Sequence, residues 1–338
     1  HTEGGATTLA QAFDDTLKRI DTEFADDPML QGELLDDFGE ITTTKGNFEQ
    51  AQSLFERALA LAESTHAAGD PAIAETLVNL GVLASYRGKP LDGKVYIEHA
   101  VAILEPRAQD LPGEYAIALA ALSRIRFLEG NPREGTRIMR EVLRIQRELN
   151  ARPDLLVAAL SNVATSESRL GNFAEAESLA NEALALAEST FGKDSANVIP
   201  PLWTLILAAG HQGDLDREQQ LAERQLKVAR AALPPQHLWV ANALGDSGYA
   251  LMRSGRAKEG EANMREALHV LEQSGNTGEE MQKIQRRLWV LWREQGDTDA
   301  ARTAIEAAWK PCAEVQNQLC MTVRANRAQS LAEAGQAE

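Results

Sequence analysis

Apolar positions recur three and four residues apart along almost the whole chain. Phe48, Ala51, Phe55, Ala58 and Leu59 make one such series, and Phe173, Ala176, Ala180, Ala183 and Leu184 another; this spacing gathers side chains on one face of a helix. Leu77, Leu80, Gly81 and Ala84 repeat it, as do Leu160, Val163 and Ala164 with Glu167, and Leu202, Leu205, Ile206 and Ala209. The pattern predicts amphipathic helices and an all-α chain.

What divides the helices is a ladder of glycines. Gly46, Gly88, Gly130, Gly171, Gly213, Gly255, Gly296 and Gly335 are separated by 42, 42, 41, 42, 42, 41 and 39 residues. The spelling around them is similar: Gly46-Asn47-Phe48, Gly171-Asn172-Phe173, Gly213-Asp214-Leu215 and Gly296-Asp297-Thr298. Glycine ends one helix in the left-handed conformation and the following Asn or Asp caps the next, so the turn spans about two residues. Each period is then a pair of antiparallel helices that cannot bury its apolar face alone and must stack on its neighbours. Polar or proline-bearing stretches, such as Glu63 to Pro71, Glu188 to Pro201 and Ala231 to His237, read as the loops between pairs.

The Gly-Asn/Asp-aromatic turn, with small residues where helices cross, resembles the tetratricopeptide repeat. The family's large, small and aromatic positions fall on Leu35, Phe38, Gly39, Ala51, Phe55 and Ala58. Repeats three and five depart from it, with Arg126, Gly135 and Met139, and with Glu218 and Gln225, where the family is usually apolar, aromatic or alanine. A period near 42 exceeds the usual unit of about 34 residues and is similar to that of kinesin light chains. The resemblance implies a right-handed superhelical solenoid of about 16 antiparallel helices. A leading helix is expected over 6–28, seven pairs over about 29–70, 71–112, 113–152, 153–195, 196–236, 237–278 and 279–314, and a capping helix over 315–334, ahead of Gly335. Residues 1–5 read as a tag remnant or linker, and the chain as an excised part of a longer protein.

Composition narrows the function. The chain has 34 basic and 50 acidic residues, for a net charge of −16, which makes nucleic acid a poor partner. The longest nearly apolar run, Val198 to Gly210, holds two prolines and falls short of the roughly 20 residues that cross a bilayer. Direct membrane insertion by this segment is not expected.

Catalytic chemistry is equally thin. Gly245-Asp246-Ser247-Gly248 matches the tetrapeptide around the trypsin-like nucleophile, but that serine needs a strained loop and a histidine base, whereas here the period puts Gly248 at a helix crossing. His1, His66, His99, His211, His237 and His269 are scattered over different repeats, and a metal needs ligands that converge. Neither glycine-rich phosphate cradle is present. The segment is expected to be no enzyme and to hold no metal or cofactor. Cys312 and Cys320, eight residues apart, either bridge the connection to the last helix or remain two thiols; a bridge implies an oxidising compartment.

In tetratricopeptide solenoids the first helices line a concave groove. The resemblance places Glu33, Asp36, Asp37 and Glu40 there in repeat one, Arg124, Phe127 and Arg169 in repeats three and four, Trp203, His211, Asn242, Tyr249 and Arg253 in five and six, and Lys283, Arg286 and Arg293 in seven. Acidic at one end, basic and aromatic at the other, such a groove suits a protein or peptide ligand of complementary polarity. Some family members grip a carboxyl terminus with a Lys/Arg pair, which Lys283 and Arg287 match, but Asp246 stands at the middle position, where that clamp has asparagine, and the first unit offers Trp203 and Leu207 instead; a carboxylate clamp is therefore not expected, since Asp246 would repel the ligand's charge.

The opening stretch, Arg19-Ile20-Asp21-Thr22-Glu23-Phe24-Ala25-Asp26-Asp27-Pro28 followed by Leu34-Leu35-Asp36, resembles the segment leading into the repeats of bacterial receptor-type serine/threonine kinases. That resemblance implies an extracytoplasmic sensor, on the periplasmic face of an inner-membrane protein, reporting by homodimerisation or a change in superhelical pitch. The alternative is a cytoplasmic scaffold or a domain of a transcriptional regulator.

Overall fold

The computed structural model describes residues 9–87, 89–274, 279–312 and 318–333, and among them the regular elements are all helical. They gather into two compact units that divide between Leu149 and Asn150. Unit 1 contains α1 (Leu9–Glu23), α2 (Pro28–Thr44), α3 (Phe48–Thr65), α4 (Pro71–Tyr86), α5 (Lys94–Leu104), α6 (Pro112–Leu128) and α7 (Pro132–Glu148). Unit 2 contains α8 (Pro153–Arg169), α9 (Phe173–Phe191), α10 (Ile199–Gln212), α11 (Leu215–Ala232), α12 (Leu238–Arg253), α13 (Ala257–Gln273), α14 (Glu279–Glu294), α15 (Thr298–Trp309) and α16 (Gln318–Glu333).

The turn chemistry fixes where each helix stops. Gly46, Gly130, Gly171, Gly213, Gly255 and Gly296 take φ between 75° and 84°. The residue after each donates its N–H back over the turn, as from Asn47 to the Thr42 carbonyl, Asn172 to Glu167 and Asp297 to Trp292, satisfying a carbonyl that the helix end leaves open. Gly335 and Gly88 lie outside the described residues. Asn150, at φ 46°, takes the left-handed conformation at the division between the units without a glycine. The glycine ladder runs past this point with its period intact.

Helix starts divide into two kinds. Asn131, Asp214 and Asp297 accept N–H bonds from the first turn of the helix that follows. Asn47 and Asn172, expected to do the same, make no such bond. The Asn172 amide instead donates to Glu167 Oε2 at 2.7 Å, where a carboxylate only 1% exposed needs a donor. Pro28, Pro71, Pro112 and Pro153 open helices between pairs, and Pro132 opens α7 within one, since the first helical position has no use for an amide donor.

Packing within pairs depends on small residues. A Cβ on Gly39 would stand 2.5 Å from the Phe55 ring, and one on Gly81 would stand 2.4 Å from Ile97. Gly248 on α12 and Gly260 on α13 face each other so closely that a Cβ on either would lie within 2.7 Å of the other's carbonyl oxygen. The departures in repeats three and five are accommodated locally. Arg126 pairs with Glu98 and Glu129, Gly135 makes room for the Phe127 ring, and Met139 is buried.

The core of unit 2 is built around Leu202, Leu244, Met264, Leu271, Leu288 and Trp289. All five tryptophans, Trp203, Trp239, Trp289, Trp292 and Trp309, belong to this unit. Cys312 and Cys320 are joined in a disulfide, which ties the segment after α15 to α16.

Candidate functional site

Unit 2 holds a cavity of about 560 Å³ on the face shared by its first helices, α8, α10, α12 and α14. Residues three and four apart share one side of a helix. Asn162, Thr165 and Arg169 therefore reach the cavity together from α8, Trp203 and Leu207 from α10, Trp239, Asn242 and Asp246 from α12, and Lys283, Arg286 and Arg287 from α14. Gln225 reaches in from the second helix α11, and Leu319 of α16 lines one wall. Arg169, Trp203, Asn242, Lys283 and Arg286, five of the residues expected in a groove, meet here.

The polar groups of this cavity are incompletely paired. Arg287 donates two bonds, each 3.1 Å, to Asp246 Oδ1, leaving the buried Oδ2 without a partner. Gln225, 2% exposed, donates to the Ile199 carbonyl, and its Oε1 has no partner. Asn242 Oδ1 and Arg286 Nε are likewise buried and unbonded. Lys283 donates to Glu280 at 2.9 Å. Burial raises the pKa of the Asp246 carboxyl despite Arg287, and lowers that of Arg286, with the neighbouring Arg287 charge acting in the same direction. Buried polar atoms ordinarily find partners; these four belong to residues that line one cavity but are themselves closed to solvent.

His211, Tyr249 and Arg253 line an adjoining cavity of about 320 Å³ that shares Asp246 and Arg287 with the first, and these and other expected groove residues already have partners. Arg253 binds Glu218 Oε2 at 2.7 Å and the Gly210 carbonyl at 3.2 Å. It neutralises a carboxylate whose side chain is only 4% exposed, so it stabilises the fold rather than offering a charge to a ligand. Tyr249 lies beneath the Arg253 and Arg287 guanidinium groups, at 5.9 and 4.9 Å from its ring, and His211 stacks on Phe173 at 4.0 Å. Arg293 pairs with Glu333 at 2.9 Å over the Trp289 ring, and so fastens α14 to α16. In unit 1, Phe127 is spent on Gly135, and Arg124 lies exposed on α6.

Unit 1 has its own recess of about 280 Å³, which brings Glu33, Asp36 and Asp37 together with Glu75 and His66. Asn79 donates to Asp36 Oδ2 at 2.7 Å and to Glu40 Oε1 at 3.2 Å, so Glu40 joins the cluster. Burial pushes the Asp36 carboxyl up to about 6, against the hydrogen bonds from Thr76 and Asn79. Glu75 is raised by burial and then by Glu40 and Asp37.

Gly245-Asp246-Ser247-Gly248 lies within α12. Ser247, 2% exposed, accepts from Asn263 Nδ2 at 3.1 Å and has no histidine beside it. Among the described residues no cluster of His, Cys, Asp or Glu is arranged to hold a metal, and no helix is long and apolar enough to cross a membrane.

Antiparallel helix pairs, hinged at left-handed glycines and crossing over small residues, define a helical-repeat protein. A model described as the tetratricopeptide repeat matches residues 31–105 and 155–231, so the chain carries tetratricopeptide repeats over these two stretches. No curated protein sequence matches. Among solved structures, the apo form of the quorum sensor NprR from B. thuringiensis superimposes with a TM-score of 0.65 at 12% identity, covering 98% of this chain and 95% of that one. Apo RapI gives 0.65 at 13%, covering 82% and 97%. A Rap protein complexed with Competence and Sporulation Factor gives 0.63 at 15%, covering 94% and 81%. At these identities the likeness is one of fold.

Proposed function

We propose that the chain is a non-catalytic protein- or peptide-binding module whose binding site is the unit 2 cavity. The observation that carries this is the cavity of about 560 Å³ on the first helices of unit 2, which gathers Arg169, Trp203, Asn242, Lys283 and Arg286 on its wall. The polar side chains of the wall offer a partner segment hydrogen bonds, and Trp203 offers it an apolar surface. The Rap structure solved with its factor supports this reading by example. Selection of binders from a displayed peptide library, followed by titration against Trp203→Ala and Asn242→Ala, tests it. Binding weakened about tenfold or more in both folded variants is expected, and binding equal to the parent in both refutes it.

The opening segment from Arg19 to Asp36 supports a finer reading, in which the module is the extracytoplasmic sensor of a bacterial transmembrane serine/threonine kinase and reports through dimerisation or a change in repeat pitch. Assaying free thiols in protein isolated from its own host, with and without reductant, tests the compartment. A bridged Cys312–Cys320 pair is the expected result. Two free thiols would place the module in the cytoplasm, as a scaffold or regulator domain.

A further inference from the structure

We propose that the Cys312–Cys320 bridge controls binding in unit 2 by holding Leu319 as a wall of the cavity, and that reduction by a dithiol weakens binding by releasing that wall. This deepens the binding proposal above and rests on it. Among the described residues, Leu319 is the one part of the cavity lining that α16 contributes, and its neighbour in sequence is Cys320. Its side chain packs, partly buried, against the unit 2 core. The apolar lining it joins includes Ile199, Trp203, Trp239 and Ile284.

The start of α16 depends on the bridge. Of the α16 side chains described, only Cys320 and Val323 are buried, and a helix draws most of its stability from the face it packs. Its ion pairs and ring contacts lie further along: Arg324 and Arg327 over Trp309, Arg327 with Glu306 at 2.8 Å, and Glu333 with Arg293 at 2.9 Å. Such exposed pairs contribute little, whereas a covalent link removes freedom from the opened chain outright. The reduced state also has a place in the fold. Gln282 Oε1, on α14 beside the lining residue Lys283, lies 3.6 Å from Cys312 Sγ. Bridged, that sulfur has no proton to give; reduced, its S–H has a buried acceptor within reach. Reduction breaks the S–S bond, places two electrons and two protons on Cys312 and Cys320, and leaves the dithiol as a cyclic disulfide. Because both cysteines are buried, the reductant enters only when the first turn of α16 opens. A ligand resting on Leu319 opposes that opening, so binding and reduction antagonise each other.

Randomised hexapeptides are selected on the bridged full chain, and the binders are titrated against bridged, dithiol-reduced and Leu319→Ala protein. Reduction and Leu319→Ala are each expected to weaken binding about tenfold, and Leu319→Ala to add nothing once the bridge is reduced. Met321→Ala, on the same turn but 60% exposed, leaves binding unchanged. Bound peptide slows the appearance of thiols under dithiol. Without any peptide, amide hydrogen exchange in α16 quickens on reduction while that of α8 to α11 does not change. Equal affinity of bridged and reduced protein overturns the inference, as does a full Leu319→Ala effect that persists after reduction, or an α16 that exchanges no faster. Recovery of no hexapeptide refutes instead the binding function on which it rests, and hydrogen exchange then decides alone whether the bridge holds α16.

Discussion

Asp36 keeps a partly buried carboxylate among Glu33, Asp37, Glu40 and Glu75, and its pKa is raised to about 6. Unfolded, the same group ionises at its ordinary value near 4. Between about pH 4 and 6 the folded protein therefore holds more protons than the unfolded chain, so stability falls as pH rises through that window and stays lower above it. Asp36→Asn keeps an acceptor for Asn79 and removes the buried charge. It is expected to raise unit 1 stability at pH 7 by about 1–2 kcal/mol and to flatten the slope, read from urea midpoints at about pH 4.5 and 7. A loss of stability at pH 7 would contradict this. Arg253 behaves oppositely: Arg253→Ala strands buried Glu218 and is expected to lower unit 2 stability by about 2–4 kcal/mol, measured by chemical denaturation. The repeat period identified Trp203, Asn242, Lys283 and Arg286 as lining residues. It missed Arg253's commitment because Glu218 stands 35 residues away, and a period aligns equivalent positions without saying which charges pair between units. Gln225 was visible only as a polar residue where the family is apolar.

At the scale of helices, the glycines divide into two kinds that the sequence writes identically. Those of the ladder occupy a left-handed turn, whereas Gly248 and Gly260 permit a helix crossing. Gly248→Ala ordinarily gains about 1 kcal/mol of helix propensity, but its Cβ would fall 2.7 Å from the Gly260 carbonyl oxygen. The expected net effect is a loss of about 1–3 kcal/mol. Gly113→Ala on α6 meets open space and is expected to stabilise by about 0.5–1 kcal/mol. Thermal unfolding of the two variants beside the parent checks both signs. Helix order and turn positions were legible because each turn demands a particular backbone conformation. The roles of Asn47 and Asn172 were not, since one side chain can bond either to its own turn or, as Asn172 does, to a buried carboxylate behind it.

At the scale of the molecule, repeat stability is a sum over neighbouring units, and the cavity draws its lining from residues 161–319 alone. A fragment of residues 150–338 is therefore expected to fold without the rest of the chain and to bind the same peptides as the parent within about twofold, by circular dichroism and titration. An unfolded fragment would show that unit 2 depends on unit 1. The division at Asn150 was not legible, because the ladder keeps its period from Gly130 to Gly171 and only a backbone angle marks the place.

The confinement of all five tryptophans to unit 2, beside tyrosines at Tyr86, Tyr96 and Tyr115 in unit 1 and Tyr249 in unit 2, makes the two units optically distinct. Light absorbed by indole alone reports unit 2 and leaves unit 1 dark. With Trp203 on the cavity wall, the molecule carries an intrinsic fluorophore at the place where a partner would dock.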